Sequence, residues 1–70
     1  MTETVNLTDY QFRCLRLAHL RGRHLMLEHE KALKKLVASG FVETDPVAFG
    51  TVWIRPKTAG EEYLRRMSAL

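Results

Sequence analysis

Cysteine is nearly absent from this 70-residue sequence, which contains only Cys14. A single cysteine cannot form an intramolecular disulfide, so the disulfide framework of a small secreted domain is excluded and a reducing, cytoplasmic location is predicted. No apolar run approaches the roughly 20 residues that a helix needs to span a bilayer. Residues 1–5 also lack the basic region and apolar stretch of a signal peptide. The sequence therefore predicts no membrane partner.

Glycine-rich phosphate loops and aligned metal ligands are lacking as well. The four glycines are isolated from one another, each at a position that suits a cap, a turn or a helix entry. The residues able to bind zinc stand at intervals of five, which on a helix turns successive side chains by about 140°. These residues are Cys14, His19, His24 and His29. We expect no metal, no cofactor and no enzymatic activity, with Cys14 serving in packing.

The composition is that of an ordinary folded domain, with 46% hydrophobic and 27% charged residues. A chain of this length has room for one domain, and it buries only roughly 60% of its extended surface. Its stability is therefore marginal, which leaves a homodimer as an open possibility. The formal net charge of +3 permits a polyanionic partner without requiring one.

The first helix is predicted over residues 9–21. Thr8 followed by Gln11 is the signature of a capping box, and Leu7 with Phe12 fits a hydrophobic staple. Gly22 stands where a left-handed C-terminal cap is favoured. Residues 1–6 are expected to be a flexible N-terminus, and residues 7–70 to form the domain.

The second helix is predicted over about residues 25–39, and Gly40 ends it. Its core face carries residues at spacings of three and four, namely Met26, His29, Leu33, Leu36 and Val37. Its polar face carries Lys31, Lys34 and Lys35, together with Glu28 and Glu30 at the spacing of helical ion pairs. This pattern predicts an amphipathic helix with a basic outer face.

A β-hairpin and a third helix are predicted to follow. Residues 41–44 and 51–55 are rich in β-branched and aromatic side chains, and residues 45–50 between them suit a six-residue tip. Pro56 ends the second strand, and Thr58 with Glu61 forms a second capping box. The fold class predicted is α+β, in the order helix, helix, β-hairpin, helix.

Two segments resemble bacterial winged helix-turn-helix regulators. Residues 32–43, Ala-Leu-Lys-Lys-Leu-Val-Ala-Ser-Gly-Phe-Val-Glu, resemble the end of a recognition helix that enters the wing. Residues 52–64, Val-Trp-Ile-Arg-Pro-Lys-Thr-Ala-Gly-Glu-Glu-Tyr-Leu, resemble the return strand and final helix of that family. The resemblance implies a minimal winged helix that binds double-stranded DNA in transcriptional regulation, with dimer contacts through the terminal helix.

Two departures from the family bear on DNA binding. Only a few residues separate Gly22 from the second predicted helix, so the supporting helix of the helix-turn-helix is missing or reduced to a turn. The predicted wing tip, residues 45–50, contains no lysine or arginine to meet phosphates.

The leading functional prediction is a DNA-binding surface centred on the second helix. Exposed basic side chains bind phosphates and release counterions, and a helix is able to enter the major groove. The residues assigned to this surface are Lys31, Lys34, Lys35, Arg13, Arg16, Arg23 and Arg55. Ordinary solubilising charge, partly paired with glutamates, remains the alternative interpretation of the same residues.

The alternative function is protein binding without DNA, as in a small adaptor or an inhibitor encoded by a phage or mobile element. It follows from the missing helix and from the uncharged wing tip. The residues assigned to partner or dimer contacts are Phe49, Trp53, Met67 and Leu70. Trp53 faces outward if Val52 and Ile54 face inward, and coverage of Trp53 by a helix is the competing expectation.

Overall fold

A computed structural model describes residues 6–67 and contains three helices and one antiparallel sheet of three strands. The elements are α1 (Asp9–Arg21), β1 (His24–Leu27), α2 (Lys31–Ala38), β2 (Val42–Ala48), β3 (Thr51–Pro56) and α3 (Thr58–Arg66). The predicted α+β class is confirmed, and the order helix, helix, hairpin, helix gives a layout like that of a minimal winged helix. Of the predicted flexible N-terminus, residues 1–5 lie outside the described residues, and so does Leu70.

Helix α1 has the predicted bounds because both of its ends are capped as the sequence indicates. The Gln11 backbone N–H donates to Thr8 Oγ1 at 3.2 Å, and the Thr8 N–H donates to Gln11 Oε1 at 2.9 Å. Gly22 follows the last turn with φ of 85°, the left-handed conformation that glycine adopts without strain. A complete capping box thus fixes where the helix begins.

The predicted second helix begins six residues too early. Residues 24–27 form strand β1, which pairs antiparallel with β3, and α2 begins only at Lys31. Met26 is buried between the exposed Leu25 and Leu27, an alternation that fits a strand. His29 and Val37, both predicted on the core face of a helix, are exposed. A short apolar run is compatible with both a helix and a strand. Its pairing with the rest of the sheet therefore decides which of the two it forms.

The sheet has the order β1-β3-β2, with β3 in the centre. The predicted six-residue tip is wrong, because β2 continues to Ala48 and only Phe49 and Gly50 form the turn. Both turn residues have positive φ, as a two-residue type I′ hairpin requires. A β-bulge between Pro46 and Ala48 lets the longer strand pair with β3.

The helices cover one face of the sheet and leave the other open. Alternate strand residues enter the core, among them Met26, Val42, Val52 and Ile54. They meet fully buried side chains from the three helices, which are Leu15, Leu36 and Leu64. None of the helices in residues 6–67 is long and apolar enough to cross a membrane.

Helix α3 packs closely on the segment that leads into β2. Gly60 lies against the backbone carbonyl of Phe41, and this approach leaves no room for a Cβ atom. The Phe41 and Tyr63 rings stack with centroids 4.8 Å apart. The predicted capping box at Thr58 is wrong, because Lys57 occupies the N-cap position and forms no side-chain cap bond.

Candidate functional site

The outer face of α2 carries three exposed lysines, Lys31, Lys34 and Lys35. Ala32, Leu33 and Leu36 bury the opposite side of the helix, so the lysine side chains extend into solvent. Within residues 6–67, none of the three forms an ion pair with a carboxylate. The ion pairs predicted between these lysines and the preceding glutamates are therefore not formed, and the three ammonium groups have no carboxylate of residues 6–67 within ion-pair distance.

Glu30 does not pair with Lys34 because its carboxylate has two other partners. Its Oε1 accepts a hydrogen bond from the Tyr10 hydroxyl at 2.8 Å, and its Oε2 accepts one from the Leu27 N–H at 2.9 Å. Glu30 is also the N-cap residue of α2. Helix α2 therefore begins shortly after β1. In a winged helix-turn-helix, the supporting helix would stand at this point of the chain.

A groove of about 440 Å³ runs between α2 and the edge strand β2. Its lining is mostly apolar and consists of Leu33, Val37, Ala38, Pro46 and Val52, with Thr44, Lys34 and Glu28 at its polar positions. Val37, in the last turn of α2, belongs to this lining and is 46% exposed. A concave apolar surface of this size is typical of a binding site.

One end of the groove lies beside the hairpin tip. The Glu28 N–H donates to the Gly50 carbonyl oxygen at 2.6 Å, which holds the groove-lining Glu28 against the turn. Phe49, the first residue of the turn, is fully exposed and has φ of 46°. A bulky side chain in the left-handed region is strained, and such strain persists mainly at functional positions. Phe49 therefore presents a fully exposed aromatic ring at the hairpin tip.

Arg55, assigned from the sequence to wing contacts with DNA, lies on the open face of the sheet and is already paired. Its Nε is 2.9 Å from Asp45 Oδ2, and its Nη2 is 3.3 Å from Glu43 Oε1. The two carboxylates belong to β2, next to Arg55 on β3. Their charge offsets that of Arg55, so Arg55 itself is not free to pair with a phosphate.

Arg23 is also occupied on the open face. Its guanidinium carbon lies 4.1 Å from the ring centre of Trp53, within the range of a cation–π contact. Val52 and Ile54 are buried, so Trp53 points away from the core, and Arg23 rather than a helix covers its ring. This pair borders a shallow depression of about 400 Å³, which Arg21, His24 and Leu25 complete. Burial and the nearby Arg21 lower the pKa of His24.

The other predicted contacts lie apart from α2 and the groove. Arg13 and Arg16 are exposed on the side of α1 opposite its buried residues, and Met67 is half-exposed after the end of α3. Leu70 lies outside the described residues. Burial raises the pKa of the Cys14 thiol, which favours the unreactive protonated form.

The structure thus separates residues that the sequence grouped together. Lys34 borders the groove, and the other two lysines of α2 lie next to it. Arg23, Trp53 and Arg55 instead belong to the open face of the sheet. Sequence reasoning missed the groove residues Val37, Ala38 and Pro46. Two features of the sequence could have indicated them. The apolar arc of the second helix is wider than one packing partner would cover, and a proline lies inside the strand that follows.

No protein-family model, curated protein or solved structure matches this chain. Its function is therefore inferred from the geometry of its own residues.

Proposed function

We propose that this protein is an interaction module that binds an apolar segment of a partner protein in the groove between α2 and β2. The observation that carries the proposal is the groove itself, which offers about 440 Å³ of mostly apolar space between a helix and a strand. Binding sites on proteins are typically concave and apolar with a few polar groups at the edge. Lys34, Glu28 and Thr44 occupy such positions.

The hairpin tip supports the same proposal. Phe49 holds a strained backbone conformation and exposes its whole ring, and its neighbour Gly50 is bonded to the groove-lining Glu28. Exposed aromatic side chains are frequent anchors in protein interfaces. A hairpin that bound phosphates would instead gain from basic side chains, and residues 45–50, the end of β2 and the turn, include none.

The test compares peptide selection by the wild-type protein with selection by Val37→Asp, which places a charge in the groove wall. A displayed library of random peptides should yield binders that the wild type retains and Val37→Asp loses by about tenfold or more. Leu20→Asp is the matched control, because Leu20 is 62% exposed on α1 and does not line the groove. Both variants should keep the wild-type circular dichroism spectrum. Selected peptides that bind Val37→Asp as well as the wild type would contradict the proposal.

DNA binding through α2 is the second candidate function, and one observation favours it. Lys31, Lys34 and Lys35 share the solvent side of one helix and form no ion pair with any described residue. Three phosphate contacts would make the affinity for duplex DNA fall roughly 40-fold between about 50 mM and 200 mM salt. Fluorescence anisotropy of a labelled duplex measures this slope.

The decisive DNA variant is Lys31→Glu with Lys35→Glu, which should abolish duplex binding in a folded protein. The control reverses two charges elsewhere, Arg65→Glu with Arg66→Glu on α3, so that the net charge changes equally. Equal loss of binding in both double variants would indicate a general effect of net charge and remove α2 as the DNA-reading element.

A further inference from the structure

We infer that the groove binds one amphipathic helix of a partner protein, with leucine-like anchors on one side and acidic residues beside them. This inference rests on the proposed function and names the chemistry of the partner. It follows from the strand edges, from the dimensions of the groove and from the distribution of charge around it.

A docking strand is disfavoured because each edge strand of the sheet has a backbone N–H that is missing or already bonded. Strand β2 carries Pro46, and a proline in an edge strand removes a backbone donor from the side that a new strand would pair with. The β-bulge beside Pro46 interrupts the edge further. On β1, the Leu27 N–H is taken by Glu30 Oε2. Peptide recognition by strand addition needs these groups, whereas a helix satisfies its own backbone.

The groove has the dimensions of a short helix contact. Helix α2 has eight residues, which makes this wall about 12 Å long and equal to two or three turns of a partner helix. Leu33 and Val52 are buried below Val37, Ala38 and Pro46, so the floor and both walls are apolar. Side chains spaced three and four residues apart on a partner helix would enter such a groove from one side.

The charge beside the groove selects the partner's polar flank. Lys34 lines the groove, and Lys31 and Lys35 lie one turn or less away on the same exposed helix side. The single carboxylate in the lining is Glu28, near the hairpin tip. Three lysines without ion pairs outnumber Glu28 and the N-cap residue Glu30, and this excess of positive charge favours a partner whose carboxylates lie next to its apolar anchors.

A second copy of the chain does not fit this description. The exposed side of α1 carries Arg13 and Arg16, and that of α2 carries the three lysines. Helix α3 exposes Arg65 and Arg66 beside Glu62. None of the helices in residues 6–67 therefore offers an acidic exposed face, and like charges would oppose self-association at the groove.

The test uses three labelled helical peptides of about 15 residues that share leucines at spacings of three and four. Their remaining exposed positions carry glutamate, lysine or glutamine. Fluorescence anisotropy should show the glutamate peptide binding about tenfold tighter than the lysine peptide at about 0.05 M salt, with a smaller ratio at about 0.15 M. Val37→Asp should lose all binding, and Leu20→Asp should keep it.

Charge reversal supplies the sharper result. Lys31→Glu with Lys34→Glu should invert the order, so that the lysine peptide binds tighter than the glutamate peptide. Equal binding of all three peptides, lost in Val37→Asp, would overturn the acidic partner and leave the proposed function standing. Binding of the glutamate peptide unaffected by Val37→Asp would overturn the inference as simple charge attraction. Duplex DNA binding lost on charge reversal, with no peptide bound, would overturn it in favour of DNA.

Discussion

The Tyr10 hydroxyl donates a 2.8 Å hydrogen bond to Glu30 Oε1, and this bond joins α1 to the residue that begins α2. The second oxygen of the same carboxylate accepts from the Leu27 N–H, so one side chain connects α1, β1 and α2. Only residues 28–30 separate β1 from α2. This carboxylate therefore holds the start of α2 beside both α1 and the end of β1.

The Tyr10 hydrogen bond predicts a loss of stability at alkaline pH. The pKa of Tyr10 is raised, chiefly by the bond to Glu30, so the folded state favours the neutral phenol. The contribution is present below the ordinary tyrosine pKa of about 10 and is lost as the pH rises above it. When the pH is raised from about 8 to about 11, the urea midpoint should therefore fall further for the wild type than for Tyr10→Phe. An equal fall in the two proteins would contradict this role for the bond.

His24 predicts a loss of stability in the acidic direction. Burial, followed by the charge of Arg21, lowers the pKa of His24, so folding favours the neutral imidazole. Its contribution is present above the ordinary histidine pKa of about 6.5 and is lost as the pH falls below it. The melting temperature should drop less for His24→Gln than for the wild type between pH of about 7.5 and about 5. An equal drop in the two proteins would contradict this role for His24.

Gly60→Ala should destabilise the protein although alanine is the better helix former. The added methyl group would overlap the Phe41 carbonyl oxygen, which is held in place by the Lys57 N–H at 2.8 Å. Overpacking of this kind costs about 2 kcal/mol, more than the roughly 1 kcal/mol that alanine gains over glycine in a helix. Urea unfolding measures the difference, with Ala59→Ser at an exposed position as the control. A variant more stable than the wild type would show that α3 is free to move away from Phe41.

Local signals predicted the parts of the fold that depend on neighbouring residues. The capping box of Thr8 and Gln11 gave both the start and the type of α1, because the bonds it makes lie within four residues of sequence. The same pattern failed at Thr58, where Lys57 takes the N-cap position. Packing of Gly60 on the Phe41 backbone fixes the position of α3, and this long-range contact leaves no trace in the local sequence.

Strand β1 and the groove were missed for a related reason. Leu25, Met26 and Leu27 fit a helical arc as well as a strand, and pairing with β3 decides between them. Once β1 takes these residues, α2 keeps only eight residues. The groove lies between α2 and β2, so it too depends on tertiary packing that a local pattern does not show. The basic residues of α2 were found because exposure of a charged helix face needs no tertiary partner.

The strained conformation of Phe49 predicts that one substitution will raise stability and weaken binding. A type I′ turn favours Asn or Gly at its first central position, yet this chain places a phenylalanine there with φ of 46°. Phe49→Gly should therefore raise the free energy of unfolding by about 0.5–1 kcal/mol, because it relieves left-handed strain at a fully exposed site. The same change should weaken binding of the glutamate peptide, since it removes an exposed apolar ring from the hairpin tip. Phe49→Ala is the matched control: it keeps the positive-φ strain and removes the ring, so it should lose binding without gaining stability. Unchanged peptide affinity in both variants would show that the strained ring has no part in the interface.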